Sequence, residues 1–373
     1  MKLHSLRVPF LVTALLIHAW FDRAAHSQTP GPALLKAKQE AEAKGYIFLA
    51  NHDEIVERAK KEGKLRVLSS QQPVTIKAVV NGLRKKYPFI DVNAEEVAGV
   101  QVYQRMLQEM KSGLASSDVN YLGWDSYSEY LPHLKRFDIL GMAEHGVLRL
   151  PPRMADPVHR HVVALQSNMQ VVGYNKEVVP AERVPNTWED FLKPEFKGRK
   201  FAVNVHPKVL PALVPVWGLE KVLDFARKLA AQNPIWFYGD SFALAQMATG
   251  EWGVVLGPNY TAVKRQQDKD ARKVIHYKVV EPVPVRLTEA QAVLATAANP
   301  YAGLLWLEFQ ASPEGQKILD EVDSTASVLS PGSAHEQQTR GKKVSIVAWD
   351  HFEKTGEYAK KIVEASGFPR AEK

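Results

Sequence analysis

The apolar positions in the first half of the chain alternate between two spacings. A short apolar run at Leu65 to Leu68 predicts a strand, a second strand is predicted at Asp91 to Glu96, and the segment Asp118 to Gly123 leads into Trp124. The segments between these runs have apolar residues every three or four positions, which predicts helices. The residues concerned are Ile76, Val79, Val80, Leu83 and Tyr87, and then Val102, Met106, Met110 and Leu114. This alternation predicts an α/β fold with a doubly wound, mostly parallel sheet flanked by helices.

The same alternation starts again in the second half, which predicts a second lobe. Its elements are a helix over Glu220 to Ala231, a strand over Ile235 to Tyr238, a helix over Phe242 to Thr249 and a strand over Trp252 to Leu256. Two further helices, Asn299 to Phe309 and Ser312 to Leu319, are predicted after the proline-rich segment near Lys278 to Pro284. Ser312 is placed as an N-cap, with Pro313 as the first helical residue. Two lobes of this size fit a chain of 373 residues.

An ordered unit with strong turn signals runs from Val171 to Val205. Its sequence is VVGYNKEVVPAERVPNTWEDFLKPEFKGRKFAVNV. Thr187 followed by Asp190 predicts the N-cap of a short helix, and Pro194 ends that helix. The strand Phe201 to Val205 completes the unit.

This unit resembles a segment of the bacterial extracellular solute-binding proteins of ABC importers, in the family related to ferric-ion binders. Other segments that resemble the family are AKKEGKLRVLSS, KKYPFIDV, TGEWGVVL, SPEGQKIL and ASGFP, in this order along nearly the whole chain. The resemblance implies a two-lobed type II periplasmic-binding-protein fold with hinge crossovers near Gln166 to Tyr174 and Lys278 to Pro284. Tyr174 is the predicted hinge residue. The first lobe is expected to comprise residues 61–166 and 283–373, and the second lobe residues 167–282.

The N-terminus has the pattern of an export signal over residues 1–27. Lys2 and Arg7 precede a mostly apolar stretch, and small residues precede Gln28. Residues 28–60 are then predicted to form a helical N-terminal extension. We therefore expect a periplasmic protein, secreted through a cleaved signal peptide.

Composition excludes several kinds of chemistry. The chain has no cysteine, so disulfides, thiolate metal sites and thiol nucleophiles are excluded. The formal net charge is +7, but basic residues occur as scattered pairs that alternate with acidic ones, which is typical of solvated helix faces. No nucleic-acid partner is expected.

Candidate ligand-binding residues follow the predicted strands. In doubly wound sheets, ligands bind beyond the carboxyl ends of strands, close to helix N-termini. The residues at these positions are Ser69, Ser70, Gln71, Gln72, Asp125, His206, Asp240, Ser241, Asn259 and Tyr260. No residue is predicted to be catalytic.

The resemblance also implies a possible iron site. Ferric-binding relatives hold their ion with two adjacent tyrosines and an imidazole. Tyr260 matches the second tyrosine, whereas Asn259 stands in place of the first and a glutamine, Gln71 or Gln72, falls near the histidine. Tyr260 and His206 are therefore candidate ligands for Fe³⁺ as a transported ion, and no other cofactor is expected. Alternatively, the Ser69 and Ser70 hydroxyls and the helix N-termini suit a small anion, or an iron chelate bound through its anionic part.

The predicted function is a monomeric solute receptor that closes its lobes around a ligand and delivers it to an ABC permease with its ATPase subunit. One alternative is a secreted enzyme on the same scaffold, although no nucleophile with an assigned base is found. Another is a ligand-sensing partner of a membrane receptor.

Overall fold

The structure is a computed structural model that describes residues 31–114 and 116–372. The predicted signal peptide, 1–27, lies outside the described residues. The strands are β1 Lys64–Ser69, β2 Asp91–Glu96, β3 Val119–Tyr121, β4 Val163–Asn175, β5 Ala202–Asn204, β6 Ile235–Phe237, β7 Val254–Asn259, β8 Ile275–Lys278, β9 Val283–Val293 and β10 Val344–Val347. The helices are α1 Pro32–Ala43, α2 His52–Glu62, α3 Pro73–Lys86, α4 Val100–Lys111, α5 Tyr127–Tyr130, α6 Ile139–Glu144, α7 Val209–Trp217, α8 Leu219–Ala231, α9 Asp240–Thr249, α10 Tyr260–Lys269, α11 Pro300–Ala311, α12 Pro313–Asp323, α13 Ala334–Thr339 and α14 Phe352–Ala365.

Two long strands join the two halves of the sheet. The strand order is β2-β1-β3-β9-β4-β7-β5-β6, with β10 paired to β9 and β8 paired to β4. Residues 163–169 of β4 lie antiparallel to β9, and residues 170–175 continue into pairs with β7 and β8. Strands β1 to β3 are parallel to one another in the first lobe, as are β5 to β7 in the second. The predicted two-lobed α/β fold with two crossover strands is confirmed, and the antiparallel pairs belong to those crossovers.

Local signals place several helix ends where the sequence predicts them. Gly63 ends α2 with φ 67°, a left-handed conformation that favours glycine. Thr187 and Asp190 form a reciprocal capping box at the 3₁₀ helix Trp188–Leu192. The Ser312 hydroxyl accepts a hydrogen bond from the Gly315 N–H at the start of α12. These caps fix the turns between layers without a contribution from distant residues.

The N-terminal helices pack on the first lobe. Ile55 and Ala59 of α2 are fully buried in the same core as Trp306 and Phe309 of α11. The loop after α1 joins this lobe through a bridge between Ile47 and Phe137. Residues 31–60, the described part of the predicted extension, thus contribute to the first-lobe core.

The C-terminal segment divides between the lobes, which corrects the assignment of all of residues 283–373 to the first. Helices α11 and α12 contribute to the first-lobe core, and Phe352, at the start of α14, stacks on Trp124 with ring centroids 3.5 Å apart. Further along α14, Ile362 is buried with Val222 and Phe225 of α8. Hence α14 begins on the first lobe and ends on the second.

Candidate ligand-binding cleft

A polar cavity of about 320 Å³ lies where the two lobes meet the crossover strands. Its walls come from the turn after β1, the end of β3, both crossover strands and the facing ends of α10 and α12. The lining residues are Ser70, Gln71, Gln72, Thr75, Tyr121, Trp124, Gln166, Asn168, Arg265, Arg286, Thr288, Glu289, Asp323 and Thr325. We call this cavity the cleft. Its position at the carboxyl ends of strands is the one expected for ligands in sheets of this type.

The crossover strands give the cleft a continuous polar surface. Gln166 of β4 is paired with Thr288 of β9, and Asn168 is paired with Arg286. Because side chains two residues apart point to the same side of a strand, these four residues share one face. All four line the cleft. Polar side chains along strands that are otherwise largely apolar mark this face as a binding surface.

A buried carboxylate holds the turn after β1 against β9. Glu289 is 2% exposed, and its carboxylate accepts hydrogen bonds from the Ser69 hydroxyl at 2.7 Å and the Ser70 hydroxyl at 2.5 Å. The Ser70 N–H and the Gln291 amide donate to the same group at 3.2 and 2.6 Å. Burial raises the pKa of Glu289, and the hydrogen bonds from Ser70, Ser69 and Gln291 oppose that rise. The carboxylate therefore positions the turn, and its acceptor capacity is largely used within the protein.

The backbone at Glu289 supports this arrangement. Its φ is 51°, an uncommon value for a residue other than glycine. Strained backbone of this kind concentrates at functional sites. The conformation brings the Glu289 carboxylate to the turn beside the Thr288 side chain, and both residues line the cleft.

A chain of buried amides extends from the turn into the first lobe. The Gln71 side-chain amide donates to Oε1 of Gln310 at 3.0 Å, the Gln310 amide donates to Oε1 of Gln291 at 3.1 Å, and the Gln291 amide donates to Glu289. The Trp306 indole N–H also donates to Gln291, at 2.8 Å. This network fixes the orientation of each amide and makes the turn rigid.

Gln71 and Thr75 each place beside the cleft a buried polar atom that has no hydrogen-bond partner among the described residues. The two atoms are Oε1 of Gln71 and Oγ1 of Thr75, on side chains that are 4% and 1% exposed as residues. A buried polar atom without a partner costs about 1–3 kcal/mol, so a ligand that donated or accepted here would remove that cost. Both residues line the cleft.

The lobes already touch at the rim of the cleft. The Arg265 guanidinium of α10 donates two hydrogen bonds to the Asp323 carboxylate at the end of α12, at 2.7 and 2.6 Å. Beside this ion pair, the Thr261 hydroxyl donates to the Ser324 carbonyl oxygen at 3.2 Å. Arg286, the other guanidinium in the cleft lining, lies on β9 opposite Asn168. Burial and the Glu289 carboxylate raise the pKa of the Tyr121 phenol, whereas Arg286 lowers it.

The structure brings part of the predicted residue set together. Ser70, Gln71 and Gln72 line the cleft, and Ser69 lies behind them, fully buried. Asp125 lies in the 3₁₀ helix Trp124–Ser126 that follows β3.

Tyr260 is not placed as a cleft ligand. It is 5% exposed, with its ring packed edge-on against Tyr277 and His335 at centroid distances of 5.2 and 5.4 Å. Burial, together with Tyr277, raises the pKa of its phenol, which disfavours the phenolate that iron would need. The cause is local: α10 begins at Tyr260 itself, so no loop carries this side chain into the cleft.

His206 also lies away from the cleft, which corrects its pairing with Tyr260. It is exposed, packs edge-on against Tyr238 at 5.8 Å and lines a different cavity. Within residues 31–114 and 116–372, no group of three or more histidine, aspartate or glutamate side chains is placed to hold a metal ion.

The remaining second-lobe candidates bond to one another. Asp240 accepts from the Asn259 N–H at 3.0 Å and from the Asn204 amide at 3.4 Å, and Asn259 accepts from the Gln170 amide at 2.8 Å. Ser241 is exposed at the start of α9. These contacts hold the second-lobe loops together.

Tyr174 lies beyond the crossover. It is in the part of β4 that pairs with β7 and β8, and its ring contacts His276 at 5.7 Å. The crossover itself falls between Met169 and Gln170.

Sequence reasoning missed Glu289, Arg286, Thr288, Gln166 and Asn168. A signal for Arg286 and Thr288 was present, because these polar residues alternate with the apolar Val285 and Leu287, whereas the residue between Gln166 and Asn168 is also polar. That alternation indicates a strand with one polar face. The left-handed backbone at Glu289 has no comparable signal.

The fold and the cleft define the class of two-lobed binding proteins. Comparisons with known proteins lead to the same class. The sequence profile of the family described as bacterial extracellular solute-binding protein matches residues 135–355, more than half of the chain. The chain therefore belongs to the bacterial extracellular solute-binding protein family. No curated protein matches it.

Solved structures resemble the chain at low identity. Apo ferric ion-binding protein A of Pasteurella haemolytica is 18% identical, with a TM-score of 0.65 over 83% of this chain and 100% of that one. A Trichodesmium protein in complex with iron and citrate is 18% identical, with a TM-score of 0.64 over 82% and 99%. The substrate-binding protein of an ABC transporter from Agrobacterium tumefaciens is 19% identical, with a TM-score of 0.60 over 81% and 94%. These structures share the fold. In the described part of this chain, no helix has the length and apolar character to cross a membrane.

Proposed function

We propose that the protein is the periplasmic solute-binding component of an ABC importer and that it acts without catalysis. It would bind a small solute between its lobes and present it to a membrane permease driven by a cytoplasmic ATPase. The family supports the binding role, and the ABC-transporter protein from Agrobacterium tumefaciens supports the transport role. Closure would occur about the crossover between Met169 and Gln170 and the return of the chain into β9.

The ligand we propose is a small solute that carries an anionic group. The observation that carries this proposal is the paired polar face of the crossover strands, where Arg286 lies opposite Asn168 and Thr288 lies opposite Gln166. A guanidinium offers several fixed donors to a carboxylate or phosphonate group, and amides and hydroxyls complete its hydrogen bonds.

Iron provides a second candidate, because several structural neighbours are ferric-binding proteins by name and one holds iron together with citrate. The cleft favours a ferric chelate bound through its anionic part over a bare ferric ion. The reason is that Tyr260 and His206 lie elsewhere and the cleft offers Arg286, amides and hydroxyls.

Thermal unfolding against a set of probes tests the function and the ligand class. The set contains citrate, phosphate, phosphonates, ferric citrate, a free ferric salt and polyamines, since a ligand that binds the native state raises the midpoint. We expect an anion or an anionic chelate to raise it. Arg286→Gln should abolish the rise, whereas Arg272→Gln should retain it, because Arg272 is exposed and pairs with Glu177.

Two results would overturn this assignment. A rise with the free ferric salt alone would exclude the anion proposal and retain transport. A shift that the Arg272 and Arg286 variants lose equally would exclude the cleft as the site.

A further inference from the structure

A second cavity, of about 340 Å³, has Arg286 in common with the lining of the cleft. It is enclosed by the loop before α7, the first turns of α7, the strands β9 and β10, and α14 with the residues after it. The lining residues are His206, Pro207, Lys208, Pro211, Ala212, Arg286, Val347, Thr355, Ala359, Lys360, Val363 and Phe368. We call it the rear cavity. Its volume is within the range of small-molecule sites.

The lining of the rear cavity is mostly apolar. Prolines and alanines form one wall with Val347 and Val363, and Phe368 stands at the edge with 67% of its surface exposed. Phe368 has φ 51°, an outlier for a bulky residue. A large aromatic side chain that is held at the edge of an apolar cavity gains from an apolar occupant, because contact would remove its surface from water.

The charged residues that line the rear cavity have one sign. Lys208, Arg286 and Lys360 all line it, and the lining residues described include no aspartate or glutamate. Desolvation and the Arg286 guanidinium lower the pKa of Lys208, while Asp240 raises it. A negative charge placed between these cations would be attracted by all three.

We propose that the rear cavity binds an amphipathic monoanion, a small molecule with an apolar body and one carboxylate. The apolar wall and Phe368 would cover the body, and Lys208 and Lys360 would bind the carboxylate. The charge pattern excludes cationic ligands, and the apolar lining disfavours strongly hydrated anions such as sulfate. The lining of this site shares Arg286 alone with that of the cleft, and the proposal does not depend on which solute the cleft binds.

Calorimetric titration of the purified protein with octanoate tests the proposal. For a ligand of this size we expect a dissociation constant of about 0.1–1 mM. Lys360→Glu and Phe368→Ala should each weaken binding about tenfold, through the lost charge-assisted contact and the lost apolar contact. Both residues are exposed, so neither change should impair folding. Octanol, which lacks the charge, should bind more weakly than octanoate.

The control is Lys354→Glu, which makes the same charge change on α14 at an exposed residue outside the rear cavity. It should bind octanoate as the unmodified protein does. The proposal fails if octanoate does not bind, if Lys354→Glu weakens binding as much as Lys360→Glu, or if neither rear-cavity variant weakens it. It also fails if only Asn168→Leu, a change in the cleft, removes octanoate binding. Arg286 is left unchanged because it lines both cavities.

Discussion

Two corresponding turns in the two lobes behave differently. In each lobe, a strand of a parallel set is followed by a helix: β1 by α3 in the first lobe and β7 by α10 in the second. Three residues, 70–72, separate β1 from α3, and all three line the cleft. No residue separates β7 from α10, and Tyr260 packs into the core. A place at the carboxyl end of a strand is therefore insufficient for a side chain to line the cleft, and the two turns differ in the number of residues that connect strand and helix.

Hydrogen bonding reinforces this difference. The first-lobe turn is bonded to Glu289 on a crossover strand, so its position is coupled to the junction between lobes. The second-lobe turn is bonded to Asp240 of its own lobe. The Gln170 amide is its link to the crossover strand β4. The two turns would thus contribute unequally to ligand contacts when the lobes close.

Removal of the Glu289 carboxylate should have the largest effect. Glu289→Ala leaves the Ser69 hydroxyl, the Ser70 hydroxyl and the Gln291 amide without their acceptor. At about 1–3 kcal/mol for each unsatisfied buried group, partly relieved by water, we expect a loss of about 3–4 kcal/mol in the free energy of unfolding. Urea unfolding measures this loss. Glu95→Ala, at an exposed glutamate of the same lobe, serves as the control and should remain within about 0.5 kcal/mol of the unmodified protein. A similarly small change for Glu289→Ala would show that the turn does not depend on the carboxylate.

Acidification should weaken the packing around the second turn. Burial lowers the pKa of His335, the neighbour of Tyr260, from 6.5 to about 4. The folded protein therefore keeps His335 neutral while the unfolded chain takes up a proton below pH 6.5. Stability that is fully present above pH 6.5 is lost as the pH falls towards 4, on the order of 3 kcal/mol for this residue.

The measurement is the free energy of unfolding between pH 7 and pH 4 for the unmodified protein and for His335→Gln. The variant is expected to start lower, because its packing changes, but to fall less steeply with decreasing pH. His161, whose pKa burial also lowers to about 4, contributes to the slope in both proteins. Parallel curves for the two proteins would show that His335 is not held neutral by the fold.

Much of the fold follows from the sequence, and part of the site does not. Apolar spacing and local caps suffice for β1, β2, α2, α8 and the turn at Thr187, because short-range chemistry determines them. Ser70, Gln71 and Gln72 follow from the rule that ligands bind at strand ends. The role of the Glu289 carboxylate depends on a left-handed backbone and on a partner more than 200 residues away. The local sequence pattern indicates neither of them. The burial of Tyr260 at the first residue of α10 has no signal in the local pattern, and its role as a ligand stays a prediction.

The smallest expected effect is that of Tyr260→Phe. This variant tests most directly whether the two turns differ in their contribution to ligand binding. The change removes one hydroxyl from a buried ring and keeps the edge-on contacts with Tyr277 and His335, so the free energy of unfolding should fall by about 1 kcal/mol or less. Affinity for the cleft ligand found by the thermal screen should stay within about twofold.

The matched change on the cleft surface is Thr288→Val, which also removes one hydroxyl. It should lower the affinity for that ligand about tenfold, because a ligand group in a desolvated site would lose one hydrogen bond. Titration calorimetry on both variants gives the comparison. If Tyr260→Phe instead removes binding and Thr288→Val does not, the second-lobe tyrosine must reach the ligand when the lobes close, and the contrast between the two turns would be reversed.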